Sequence, residues 1–394
     1  PSGSISSVSL SGCLLCDAGR FIADNGVNHV HHDSVDDCAV CAGGKFSSQG
    51  SDSCLSCPSG TFLQDAGTAS IHHDSLNDCI ICPAGRWSGD GSTACHACEA
   101  GRFIENDGDS YSAHDSMNDC HLCSPGSWSD SGARLCTKCV SGTYLATTGA
   151  SSSHNSIAKC LICASGKWSI TGSSECTSCV AGKYIEDSST SAKLHASIDN
   201  CNRCAPGTFS SVGSAGCSLC PAGSYSLHPG IAASSCITCP AGTWSAAGSY
   251  GCLVCPAGTY LSDSATAPTF HDDPSKCIIC SSGQYAQAAS STCIDCEAGS
   301  YLEDNNENAQ AHSSPTNCIT CPAGKTSTTG SQSCSNCPSG KYLEDFGSDK
   351  NSHVPTACKT CDAGTYATNA GSTTCTNCEA GKYLSDDGVD AANH

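Results

Sequence analysis

Apolar side chains along this chain never gather into long runs. They stand almost singly, on a regular beat: a Gly, one intervening residue, an aromatic, and often an aliphatic after it. Long and short intervals alternate. In the long ones the aromatic is Phe21, Phe62, Phe103, Tyr144, Tyr184, Tyr225, Tyr260, Tyr301, Tyr342 or Tyr383. In the short ones it is Phe46, Trp87, Trp128, Trp168, Phe209, Trp244, Tyr285 or Tyr366, with Thr326 as the exception. Stretches such as Leu302-Glu303-Asp304 alternate as a short strand does. Each interval therefore predicts a turn plus a brief β segment. No helix longer than a turn is expected, because Gly, Ser and Pro recur too often. The Gly is expected to supply a positive φ or a close backbone approach. The aromatic is expected to cover nearby sulfur and act as a one-residue core. No apolar run approaches the roughly 18 residues of a membrane-spanning helix.

Cysteine explains the beat. All 38 cysteines fall into 19 Cys-x-x-Cys pairs, each followed by x-x-Gly. The steps between pairs are typically 25 and 16 residues, a period of 41. The boundaries that follow are a partial repeat at 1–12, repeats at 13–53, 54–94, 95–135, 136–175 and 176–216, a shortened repeat at 217–251, repeats at 252–292, 293–333 and 334–374, and a partial repeat at 375–394. Both partial repeats resemble interrupted loops, so the chain is expected to be a piece of a longer array.

Two regular disulfide schemes fit the spacing. In a ladder the second Cys of each pair bonds the first Cys of the next. Cys16 would join Cys38, Cys41 Cys54, Cys57 Cys79, Cys82 Cys95, Cys98 Cys120 and Cys123 Cys136. Cys139 would join Cys160, Cys163 Cys176, Cys179 Cys201, Cys204 Cys217, Cys220 Cys236 and Cys239 Cys252. Cys255 would join Cys277, Cys280 Cys293, Cys296 Cys318, Cys321 Cys334, Cys337 Cys358 and Cys361 Cys375, leaving Cys13 and Cys378 for partners beyond the ends. In an interlaced scheme adjacent pairs bond first to first and second to second, and alternate loops stay open. The ladder closes every loop; sequence alone leaves the choice open. Zinc, haem attachment and thioredoxin-like chemistry fit poorly. No pair is followed by His, and nineteen pairs on no βαβ scaffold are not a redox site.

A Cys density near one in ten marks a disulfide scaffold, and such bonds persist in oxidising compartments. The expected location is extracellular or at the cell surface. The net charge of −20 argues against nucleic acid and anionic membranes as partners. None of the 17 Asn residues begins an Asn-x-Ser/Thr sequon, as if bulky N-glycans would obstruct lateral packing. Exposed Ser and Thr remain candidates for O-glycans.

A His stands six residues before the Cys that closes seven long loops: His32, His73, His114, His154, His195, His271 and His312; His353 stands five before Cys358. The run is often His-Asp-Ser, but a nucleophilic triad is defined by geometry, not adjacency, and an enzyme has no use for one site per repeat. No catalytic residue and no metal site is assigned. The expectation is a His packed on its loop with an Asx or Ser turn after it. The sharper alternatives are a contact between neighbouring repeats or subunits, or a metal site built from His31, His32 and Asp33 or their equivalents. The long-loop acids Glu303-Asp304, Glu344-Asp345 and Asp386-Asp387 are weak candidates for calcium, with no twelve-residue loop of the EF type; no other cofactor is expected.

Cys252 to Tyr260 and Cys236 to Trp244 read Cys-x-x-Cys-Pro-Ala-Gly-Thr-Tyr/Trp, which resembles the ephrin-receptor-like cysteine-rich repeat. Cys54 to Leu63 also resembles the tumour necrosis factor receptor module, although the extra Cys inside that module's long loop is missing. Such repeats occur in receptors, adhesins and very long extracellular proteins of algae and other protists. The fold class expected is an elongated rod of small disulfide-rich repeats, mostly turns and coil with short β segments and essentially no helix. Small-angle scattering is then expected to give a radius of gyration far above the ~21 Å of a compact chain of this length; a value near that figure would refute the rod. The function expected is structural, in a filament, sheath or surface appendage such as a flagellar hair. Its partners would be other copies or other extracellular structural proteins. The alternative is a receptor ectodomain or adhesin binding a protein ligand, with Tyr225, His228 and Tyr250 of the shortened repeat as its candidate surface.

Overall fold

In Pro58-Ser59-Gly60-Thr61 the Thr61 amide and hydroxyl both donate to the Pro58 carbonyl, at 3.1 and 2.6 Å, and Gly60 sits at φ +84°. This turn type needs a positive φ at its third residue. A Cβ on Gly60 would also overlap the Tyr111 carbonyl of the next long loop, so both reasons for a glycine apply at this position. The same opening recurs along the chain. The computed structural model describes all residues except 7–11, 24–30, 107, 109, 148, 233–234, 305–306, 347–348 and 385–394.

From Gly19 to Gly364 these turns lead into strands of two residues that pair, antiparallel, with the strand lying between the two cysteines that end the loop; the first pair, Ser4–Ser6 with Cys13–Leu15, has three residues in each strand. In a short loop Lys45–Phe46 pairs with Leu55–Ser56, and in the following long loop Thr61–Phe62 pairs with Ile80–Ile81. The long loop carries two single-turn 3-10 helices as well, here Ser70–His72 and Leu76–Asp78. Ser75 starts the second of these: its hydroxyl accepts from the Asn77 amide, while the Asp78 carboxylate accepts from the Ser75 amide. Ser34, Ser116 and Ser197 do the same in their loops. The Ser of His-Asp-Ser is thus a helix cap, and the Ser turn expected after the His takes this form.

Eighteen disulfides close the loops, with Cα–Cα distances of 5.6–5.9 Å. Each joins the second Cys of one pair to the first of the next, from Cys16–Cys38 to Cys361–Cys375. Cys13 and Cys378 are free thiols here. Full-length long loops span 21 or 22 residues between their bonded cysteines, and the shortened one, Cys220–Cys236, spans 16.

The core differs from the sequence expectation. The aromatic is at the rim of its loop, and the residue after it is buried. Ile22, Leu63, Ile104, Leu145, Ile185, Leu261, Leu302 and Leu343 are only 3–5% exposed. Leu63 clusters with Cys57 and Cys79, and the aromatic that packs on this cluster, Phe46, comes from the preceding short loop. Trp87 packs in the same way on Cys98, Ile104 and Cys120, and Trp168 on Cys179, Ile185 and Cys201. Consecutive side chains of a strand face opposite ways, so the aromatic and its aliphatic neighbour cannot both point inward. The aliphatic fills its own loop, and the short-loop aromatics Phe46, Trp87 and Trp168 bridge to the loop that follows.

Backbone hydrogen bonds tie each loop to the next. The Gly44 amide donates to Leu63, the Cys57 amide to Gly44, the Gly60 amide to Ser88 and the Gly91 amide to Cys57, at 2.8–3.0 Å. The chain divides into two compact units: residues 1–179 with 185–202, and residues 180–184 with 203–394. Each is built from this same stacking of neighbours; the second contains the shortened repeat.

Candidate functional site

The most conspicuous polar groups are buried. All eight predicted histidines are interior: His32 is 7% exposed, and His73, His114, His154, His195, His271, His312 and His353 have no exposed surface. Apart from His32, each lies at the end of the first 3-10 turn of its long loop or just after it, and all eight reach back to the preceding short loop. Nδ1 of His73 lies 2.6 Å from the Lys45 carbonyl oxygen, 28 residues earlier. The equivalents are Ser4 for His32, Arg86 for His114, Ser127 for His154, Lys167 for His195, Thr243 for His271, Gln284 for His312 and Lys325 for His353, at 2.6–3.0 Å. A carbonyl only accepts, so Nδ1 is the donor and carries a proton in every case. By the 41-residue boundaries, each of these bonds joins one repeat to its neighbour.

The same histidines hold the preceding loop with their own carbonyls. The amides of Ser47, Ser88, Ser129, Ser169, Ser245, Ala286 and Ser327 donate to His73, His114, His154, His195, His271, His312 and His353 at 2.9–3.0 Å. Those serines are buried too. Their hydroxyls donate one loop further back: Ser47 to Arg20, Ser88 to Thr61, Ser129 to Arg102, Ser169 to Thr143, Ser210 to Lys183, Ser245 to Ser224 and Ser327 to Ser300. One buried Ser thus links three consecutive loops, using its amide forward and its hydroxyl backward. Sequence reasoning passed over these serines, although the signal is present: a Ser directly follows the aromatic or Thr326 in seven short loops.

Of the aspartates eight residues before the His, the sequence marked Asp304 and Asp345 only as acids, and the pairing of this position with the His was missed. Nε2 of His73 meets Asp65, that of His195 meets Asp187, that of His271 meets Asp263 and that of His312 meets Asp304, each at 2.9–3.0 Å. His353 lies 3.9 Å from Asp345. The neighbouring Thr68 hydroxyl, and then His73, hold the Asp65 carboxyl far below the usual carboxylate range. Thr190, and then His195, bring Asp187 down to about 2 against the cost of partial desolvation. The hydroxyl of Thr266 is the main cause for Asp263. For Asp304, desolvation opposes ionisation, but hydrogen bonds from His312 and the Asn308 amide outweigh it and the net direction is down.

Three repeats depart from this pattern. Residue 106, eight before His114, is Asn, and His114 Nε2 has no hydrogen-bond partner among the described residues. His154 Nε2 lies 3.0 Å from the Thr147 carbonyl oxygen and 3.3 Å from its hydroxyl. In the shortened repeat the carbonyl of Ile231 replaces that of a His as acceptor for Ser210. His228 there is exposed, and Tyr250 is 73% exposed.

Of the groups considered as metal ligands, His31 and Asp33 are exposed while His32 is interior. The Asp304 carboxylate is engaged by His312, and Asp386 and Asp387 lie outside the described residues. Among the described residues, no three His, Cys, Asp or Glu side chains are grouped so as to hold a metal ion.

Residues 207–245 match the family described as tyrosine-protein kinase ephrin type A/B receptor-like. No curated protein matches the chain. The matched segment spans the shortened loop with most of the short loop before it and the first part of the one after it. The regular disulfides and this match together make the chain a tandem array of cysteine-rich repeats of an extracellular kind. No helix among the described residues is long and apolar enough to cross a membrane.

Proposed function

We propose that this chain is a non-catalytic structural segment of an extracellular filament, sheath or surface appendage, a flagellar hair being the sort of object meant. The observation that carries the reading is a repeated surface. The first residue between the two cysteines that end a long loop is aliphatic and 54–59% exposed at Ile80, Leu161, Ile237, Ile278 and Ile319. The other four long loops carry Ala39, His121, Asn202 and Lys359 there, so five of nine present the group; an apolar group recurring at one register is what periodic assembly with other copies, or with other extracellular structural proteins, can use. The interior supports the same reading, because the recurrent His, Ser and Asp side chains join loop to loop. Electron microscopy of the purified native material is expected to show chains associated end to end or side by side. Replacing Ile80, Leu161, Ile278 and Ile319 by Ser should disperse them. Isolated chains at high concentration before any replacement would refute the proposal.

A second reading, a receptor ectodomain or adhesin, draws on the placement of the family match at residues 207–245 and on the exposed Tyr250 beside a loop with no inter-repeat His. Deleting residues 217–251 separates the two. Loss of ligand or cell binding with assembly intact favours the receptor or adhesin, whereas loss of assembly favours the structural role.

A further inference from the structure

Four of the buried histidines face hydrogen-bond acceptors on both sides of the ring. Nδ1 of His73, His195, His271 and His312 lies 2.6–2.7 Å from a main-chain carbonyl oxygen. Nε2 of the same rings lies 2.9–3.0 Å from an aspartate Oδ2. A neutral imidazole has one N–H. Spent on the carbonyl, it leaves a lone pair aimed at a carboxylate, which is repulsive. The contact becomes favourable only with a second proton, on the ring or on the carboxyl. The Asp65, Asp187, Asp263 and Asp304 carboxyls are all held below their usual range, and Thr hydroxyls donate to the first three. The proton therefore belongs to the ring.

We propose that His73, His195, His271 and His312 are held as imidazolium ions, and that each is a protonation-dependent latch closing a long loop onto the preceding short loop. The cation uses one N–H to grip the short-loop backbone and the other to grip its own loop's aspartate. Charge-assisted bonds of this kind are the stronger class. The other charged groups nearby point into solvent or lie on adjacent chain positions. Beside His73 these are Lys45, His72 and Asp74, all exposed. Beside His195 they are Lys167 and Lys193, also exposed, and beside His271 the half-buried Asp272. His312 meets the Gln284 carbonyl on the short-loop side. The aspartate is thus the group that pairs with the ring from inside each latch. The signs follow. On the acid side the latch is lost as pH falls through the depressed aspartate value, about 2 for Asp187. On the alkaline side it is lost as pH rises and the ring gives up its second proton, because the Nε2 bond then disappears.

The molecule supplies its own control. His114 has Asn106 at the aspartate position, and its Nε2 has no hydrogen-bond partner among the described residues, so a neutral ring satisfies Nδ1. Histidine-selective 15N NMR on the whole chain tests the proposal. At neutral pH, Nδ1 and Nε2 of His73, His195, His271 and His312 are expected to be protonated, and His114 to carry one proton, on Nδ1. Asp187→Asn, whose amide can donate to Nε2, should convert His195 alone to the neutral ring. Hydrogen exchange gives the second readout. When the Nε2 proton is removed at high pH, the Ser169 amide, bonded to the His195 carbonyl, should lose about ten- to a hundredfold in protection relative to the Ser88 amide, bonded to that of His114. An unprotonated His195 Nε2 at neutral pH in the unaltered chain would overturn the cationic assignment. Equal loss at Ser169 and Ser88 would overturn the latch.

Discussion

Replacing Cys98 and Cys120 together by Ser is expected to open one long loop and leave distant repeats folded. Their disulfide closes a 22-residue separation, and by the chain-entropy estimate a loop of this size contributes about 3 kcal/mol of local stability. Little else would compensate. The cluster it belongs to holds only Ile104, the two sulfurs and the rim of Trp87, so removing the bond removes much of the core. Because each repeat is stabilised mainly by its neighbours, the damage should be graded along the chain. Limited proteolysis is expected to cut first between residues 99 and 119, then in the flanking loops, with repeats beyond 176 still resistant. Uniform collapse of the whole chain would show that the array is one cooperative unit.

Gly85→Ala is expected to be nearly as damaging, and Gly89→Ala, four residues on, to be close to neutral. Gly85 sits at φ +76°, and a Cβ there would overlap the Gly132 carbonyl of the next short loop. The left-handed conformation alone costs a non-Gly residue about 1–2 kcal/mol, and the overlap forces two backbones apart. Three bonds are at risk: Gly85 amide to Ile104, Cys98 amide to Gly85 and Gly132 amide to Cys98, at 2.8–3.0 Å. Gly89 has no positive φ and open space around its Cβ position, so its substitution should stay within about 0.5 kcal/mol. Amide exchange at Cys98 and Gly132 is the direct measurement. Equal effects from the two substitutions would refute the stacking account.

The Cys-x-x-Cys lattice, the turn glycines, a brief β segment in each loop and the lack, among the described residues, of any longer helix were all legible in the residue pattern. These features are local. A Cys pair, a Gly three residues on and an aromatic two beyond it lie within a few positions of one another, and their backbone demands are written in residue type. The burial order was not legible, since an aromatic outranks a Leu as a core candidate until the strand's alternation is placed against a particular neighbour. Ile104, rather than Phe103, fills the loop for that reason.

The eight histidines stood out by recurrence, but their role could not be read from the sequence, because the partner of each is a main-chain carbonyl 27 or 28 residues earlier. The residues that supply those carbonyls, Ser4, Lys45, Arg86, Ser127, Lys167, Thr243, Gln284 and Lys325, share no side-chain chemistry. A carbonyl oxygen is the same atom in all of them, so nothing in the sequence marks it as an acceptor. The aspartates eight residues before the His were closer to hand, yet 3-10 turns and coil impose no face on which that spacing would register. By itself the sequence determined the repeat, its turns and its dependence on sulfur, because those are properties of short segments. Which cysteines join, which side chain turns inward and what each His holds were decided only when one loop was laid on the next. Those relations exist between segments, through backbone atoms that every residue has.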